Sequence, residues 1–198
     1  CRKEADCDTF SKCGGCSLRH IDYEKTVEMK KFSVETTLKK ALKREIKVEE
    51  VIKMDKPFYY RNKLQYPIRE DDQGNPVMGV FAERTHRIIP TKNCKIQNEL
   101  CQKIANSIFE FIVNNKIPVY NEKNLKGIFR HLVIRIGRKT NEVMVTLVVN
   151  DFKIPMQEQL VKELTEDVHK NNTNWIDAIL GNVNGIIHIF KDGLGIDN

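Results

Sequence analysis

Cys7, Cys13 and Cys16 form a C-x5-C-x2-C array with Gly14 and Gly15 between the last two, and Cys94 stands far along the chain. Glycines there let the backbone fold tightly enough to aim two sulfurs at one metal while turning N–H groups toward them. Four thiolates suit tetrahedral zinc or an iron–sulfur cluster, and the spacing leaves that choice open. Cys94 lies just ahead of an expected helix, whose N-terminal dipole favours an ionised thiol. Cys1, separated from Cys7 by another five residues, competes with Cys94 as fourth ligand. Cys101, inside that helix, reads as core, since cysteine is also an ordinary small buried hydrophobe. The radical-enzyme spacing C-x3-C-x2-C is absent, which disfavours radical chemistry.

Six cysteines in 198 residues are too few for a disulfide scaffold, so a reducing, cytoplasmic setting is expected. With 40% hydrophobic and 30% charged residues, the chain is ordinary for one large or two small globular domains. No apolar run approaches the roughly 18 residues that span a bilayer. The net charge of +6 hides a polarity: residues 1 to 140 hold 29 Lys/Arg against 18 Asp/Glu, and residues 141 to 198 hold 4 against 9. An excess of +11 in one part points to a surface that meets a polyanion, nucleic acid foremost, with a merely well-solvated basic surface as the plainer alternative.

These residues need elements to position them. Helical spacing of Val27, Val34, Leu38, Ala41 and Leu42 predicts a helix from Tyr23 to about Arg44, surrounded by lysines. A short strand is expected over Ile46 to Ile52, then a more informative one from Tyr59 to Arg69. Its alternation puts Tyr60, Asn62, Leu64, Tyr66 and Ile68 on one face and Arg61, Lys63, Gln65 and Arg69 on the other. The turn Asp71 to Pro76 leads to strands at Val77 to Ala82 and Thr85 to Ile89. A helix from about Lys95 to Asn114 follows, with Ile96, Leu100, Ile104, Ile108 and Phe111 inward. Strands at 128–136 and 142–150 form a hairpin, Pro155 opens a further helix, and strands follow at 175–180 and 186–190. The fold class is α+β, with antiparallel or mixed sheets, packed helices, two strand groups separated by a helix, and an irregular cysteine-rich start. The Asn171 sequon carries no assigned role.

The stretch Cys7-Asp8-Thr9-Phe10-Ser11-Lys12-Cys13-Gly14-Gly15-Cys16-Ser17-Leu18-Arg19-His20, with Tyr23-Glu24, resembles the iron–sulfur segment of the RumA-type 23S ribosomal RNA (uracil-5-)-methyltransferases. The resemblance continues through Tyr60 to Tyr66, Met78 to Phe81, Arg84 to Ile88, Cys94, and Arg130 to Arg135 with Glu142 to Val145. It implies a four-iron, four-sulfur cluster on Cys7, Cys13, Cys16 and Cys94, favouring Cys94 over Cys1 and iron over zinc. It also implies that residues 1–22 are the iron–sulfur segment and 23–198 a central domain that holds structured RNA as a monomer. The RNA-facing candidates are Arg61, Lys63, Gln65, Arg84, His86, Arg87, Arg130, His131 and Arg135. Each has a solvated or structural role as its alternative, and Asn62 more so. His86, Tyr59 and Phe58 are expected to stack on unpaired bases.

The family's reaction needs a cysteine that adds to uracil C6, a base that removes the C5 proton, and an S-adenosylmethionine site on a doubly wound domain. None is legible here: Gly193-Leu194-Gly195 is only a fragment of such a glycine turn, and Gly181 to Gly185 reads as a turn between strands. The chain also begins at Cys1, so it is expected to be the middle of a longer enzyme, inactive alone. A zinc-stapled RNA-binding module and an iron–sulfur electron-transfer module are the rival readings.

Overall fold

The computed structural model describes residues 2–140, 142–151, 153–170, 175–182 and 185–189, with side chains described through residue 166. In chain order the elements are α1 (Tyr23–Leu42), β1 (Lys63–Glu70), β2 (Pro76–Phe81), β3 (Ile88–Pro90), α2 (Glu99–Asn114), β4 (Phe129–Ile136), β5 (Glu142–Val149), α3 (Gln157–Lys170), β6 (Trp175–Asn182) and β7 (Gly185–Ile189). The strands form one sheet in the order β3-β2-β1-β4-β5-β6-β7. Every neighbouring pair is antiparallel except β5 with β6, which α3 connects as a crossover. The fold is therefore mixed α/β. The two expected strand groups are one sheet, because β1 pairs with β4 through Leu64↔Ile134 and Tyr66↔Leu132 across the intervening helix.

Alternation explains the sheet's two faces. Leu64, Tyr66 and Ile68 of β1, Leu132 and Ile134 of β4, and Val143, Val145 and Leu147 of β5 are buried. Against them α2 lays Cys101, Ile104, Ala105, Ile108, Phe111 and Ile112, a helical i, i+3, i+4, i+7 stripe, and α3 adds Leu160 and Leu164. Both helices thus cover one face.

Four expectations fail here, the first being the strand over Thr85 to Ile89, which forms only as Ile88–Pro90. Residues 46–52 form no strand; this segment runs back along α1. Lys39 meets Glu45 (2.7 Å), Glu35 accepts the Val48 N–H (3.0 Å), Lys31 donates to the Glu49 carbonyl (3.0 Å), and Lys53 meets Glu24 (2.9 Å). The helix α1 holds as expected, but its stripe is not core: only Thr26 is buried, and Val34, Ala41 and Leu42 are exposed. Tyr60 is also exposed, because the strand begins only at Lys63 and alternation does not reach back to it. The expected turn at 181–185 falls between paired Asn182 and Gly185, but Val183 and Asn184, Phe190, Asn171 and the Gly193-Leu194-Gly195 fragment lie outside the described residues. No helix among the described residues is long and apolar enough to cross a membrane.

Candidate nucleic-acid interface and cysteine site

The cysteine loop is shaped by its own backbone. The N–H groups of Lys12 and Cys13 both donate to the Thr9 carbonyl (3.1 Å each), and Phe10 donates to Cys7 (3.0 Å). Gly14 takes φ +63° beside the β2–β3 turn, where a Cβ would sit 2.8 Å from Glu83 Cβ, so this glycine answers both a left-handed turn and a close approach. Cys7, Cys13, Cys16 and Cys94 are half-buried and form no disulfide.

Burial pushes the Cys16 thiol up, and the nearby Cys94, Cys13 and Cys7 push it further, against a lowering by Arg19. Cys16 thus lies within electrostatic reach of the other three thiols. Thiolates are the donors that a thiophilic metal group takes. The sulfurs are not gathered as a finished cage: among the described residues no group of three or more His, Cys, Asp or Glu is arranged to hold a metal ion.

Cys94 is not at a helix start. The helix α2 begins at Glu99, and Asn98 caps it by accepting from the N–H groups of Leu100 (2.9 Å) and Cys101 (3.3 Å). What holds Cys94 is Gln102, whose Oε1 accepts both the Cys94 N–H (3.4 Å) and the Tyr66 hydroxyl (2.8 Å), while its Nε2 donates to Thr91 and Asn106. The sequence reading missed Gln102; its signal is an amide set on the apolar stripe of α2. Cys101, 1% exposed, is core as expected, and burial pushes its thiol up to about 11.

The expected RNA-facing residues separate into three groups. Lys63 and Arg135 are cross-strand partners, and with Gln65 they stand exposed on the face away from α2 and α3. Arg61 is exposed at the head of that face, its backbone bonded to Ile96 and Asn98. Half-buried Val133, Met144, Thr146 and Val148 share this face. Arg84, His86 and Arg87 are exposed around the β2–β3 turn, where Arg84 pairs with Glu83 (3.7 Å) and His86 meets the Phe81 ring edge-on (5.8 Å).

Arg130 and His131 depart from the expectation, because a bulge at Phe129/His131 disturbs the alternation. Arg130 lies over the Tyr120 ring at 4.1 Å, with its Nε buried and without a partner, as is His131 Nδ1. Burial lowers the His131 pKa below 6.5, and Arg69 and Arg130 lower it further. Arg69 itself stacks on Phe81 and pairs with Glu122 (2.9 Å).

Between the cysteine loop, the start of α1 and residues 52–60 lies a cavity of about 440 Å³. Phe58 stands on its wall, with the Arg19 guanidinium 4.4 Å above the ring and held there by Asp6 (2.6 and 2.9 Å). Arg138, from the β4–β5 loop, donates to the Tyr60 carbonyl and ties the hairpin to this segment. Neither Arg19 nor Arg138 was singled out by the sequence.

No protein-family model matches the chain. A protein named as an RNA methyltransferase in Clostridium tetani is 39% identical over 167 residues, 84% of this chain and 36% of its own length. One from Caldanaerobacter subterraneus is 35% identical over 189 residues, 92% of this chain and 42% of its own. The solved tRNA (uracil-54, C5)-methyltransferase of Pyrococcus abyssi, in complex with S-adenosyl-L-homocysteine, superposes with TM-score 0.60 at 26% identity over 89% of this chain and 41% of that one. The chain is related to these RNA methyltransferases, and it spans about two fifths of the length of the relatives it matches.

Proposed function

We propose that this chain is the RNA-gripping part of an S-adenosylmethionine-dependent methyltransferase acting on uracil C5 of ribosomal RNA, with an iron–sulfur segment at 1–22 and a central domain over 23–198. The observation that carries this is the open sheet face with exposed Lys63, Gln65 and Arg135, headed by Arg61, in a chain whose relatives are RNA methyltransferases. Lysine and arginine there meet phosphates, and Gln65 offers hydrogen bonds to base or ribose edges. Arg84, His86 and Arg87 extend the grip at the sheet's edge. Arg130 contributes by holding the bulged end of β4 against the Tyr120 ring, beside half-buried His131.

Cys7, Cys13, Cys16 and Cys94 would hold the four-iron, four-sulfur cluster. When bound, such a group supplies strong thiolate bonds that close a long chain loop. Gln102 and the Thr9 turn orient the thiol-bearing backbone for this. Nucleophile, base and methyl-donor site are assigned to none of these residues, so the 198-residue chain alone transfers no methyl group.

Titration with a 23S ribosomal RNA hairpin and with a tRNA at two salt concentrations tests the RNA reading. Binding is expected to weaken with salt, with a log–log slope of roughly 0.7 per neutralised phosphate on single strands, and the ribosomal hairpin is expected to bind more tightly. Absent or salt-independent binding overturns the grip, and a preference for tRNA overturns the ribosomal assignment. An anaerobic preparation is expected to carry iron and acid-labile sulfide; stoichiometric zinc without visible absorbance overturns the cluster.

A further inference from the structure

Exposed large apolar side chains are not scattered evenly over the molecule. Leu18, Ile52, Met54, Phe58 and Tyr60, 37% to 100% exposed, all line the 440 Å³ cavity beside the cysteine loop. Its size falls within the range of small-ligand sites. Its deeper wall is buried Thr26 and Ile96, and Cys16 borders it. Lys3 and Lys30 stand on its exposed rim, Lys3 beside Asp22 at 2.9 Å. Arg19 is already committed to Asp6 and to Phe58, so it stiffens the aromatic wall. Apolar and aromatic walls under a cationic rim match one occupant well: a flat, apolar-faced ring carried on an anionic backbone.

We propose that this cavity seats an unstacked nucleobase of single-stranded RNA against Phe58 and Tyr60, with the flanking phosphates beside Lys30 and Lys3. Aromatic side chains recognise unpaired bases in this way, and every base offers a π-face. The site rests on the RNA-gripping reading but is separate from the sheet face that carries it. It also gives the cysteine loop a second task, because the backbone from Gly15 to Ser17 forms part of the wall.

The test measures binding of a fluorescent single-stranded RNA dodecamer and of an RNA duplex to the 198-residue protein. Phe58→Ala and Phe58→Leu are each expected to weaken the single strand about 10-fold, the loss of one stacked base. Duplex binding and the salt slope should stay unchanged, because no phosphate contact is removed, and Phe58→Tyr should retain full affinity. Phe58 is 41% exposed, so the variants should fold, which circular dichroism checks. If Phe58→Leu binds as tightly as the wild type, the wall acts through greasiness alone and the proposal fails; a protein segment as occupant would give that result. If the wild type binds RNA and all three variants bind it equally, this site alone is overturned. If the wild type binds no RNA, the RNA-gripping reading falls as well.

Discussion

In the sheet, Leu64, Tyr66, Ile68, Phe129, Leu132 and Ile134 are wholly withdrawn from water, whereas α1 buries only Thr26 and leaves Met29, Phe32, Val34 and Leu42 exposed. The first region is held by apolar burial, worth roughly 25 cal/mol per Å². The second is held by a ladder of exposed ion pairs and single hydrogen bonds between α1 and residues 45–54, contacts that contribute little each. A stable platform thus carries a loosely fastened flank, and a metal tie between Cys94 and the cysteine loop would fasten it where packing does not.

The largest effect should come from the platform. Phe129→Ala, at a position with no exposed surface, is expected to cost about 3–5 kcal/mol in denaturant unfolding. A loss under 1 kcal/mol would erase the contrast. Removing the proposed tie by Cys94→Ser in the anaerobic protein should speed amide exchange over residues 2–22, including the Lys3 N–H bonded to His20, while β4 and β5 keep their protection. Equal acceleration in both regions would mean that the flank and the sheet unfold as one unit. Asn98→Ala removes the cap of α2 and should cost about 1 kcal/mol.

His131 gives a pH-dependent effect. Its folded pKa lies below the ordinary 6.5, so the unfolded chain binds the proton more readily. Stability is complete above 6.5 and is lost as pH falls through the lowered value. Denaturant midpoints at pH 7.5 and 5.5 should drop more in the wild type than in His131→Gln; an equal drop removes His131 as the cause. The smallest effect should come from the flank: Phe32→Ala, 69% exposed, is expected to change stability by no more than about 0.5 kcal/mol. A larger loss would show that α1 is packed after all.

The same contrast explains what could be read in advance. β1 from Lys63 onward, the β4–β5 hairpin and the α2 stripe were legible because each buries one face, and burial imposes period 2 or 3.6 on the sequence. Where nothing is buried the pattern misleads: Ile46, Val48, Val51 and Ile52 look like a strand but find no partner strand, and the α1 stripe has no core to face. The β1–β4 pairing was illegible because it joins residues nearly seventy positions apart. At the site, the thiols announce themselves by spacing, but the anchor of Cys94 does not. Gln102 acts on it through a contact that only the folded chain creates, and the bulge that turns Arg130 inward is likewise a product of pairing.

One oxygen atom of Gln102 receives both the Tyr66 hydroxyl, from the driest part of the interior, and the Cys94 amide, from the sulfur-bearing loop. Its two lone pairs are thereby filled, one by each donor. Cys94 takes part through its backbone, so the join rests on the side chains at 66 and 102, and a change at either in the hydrophobic heart of this protein is felt at the sulfur-bearing loop.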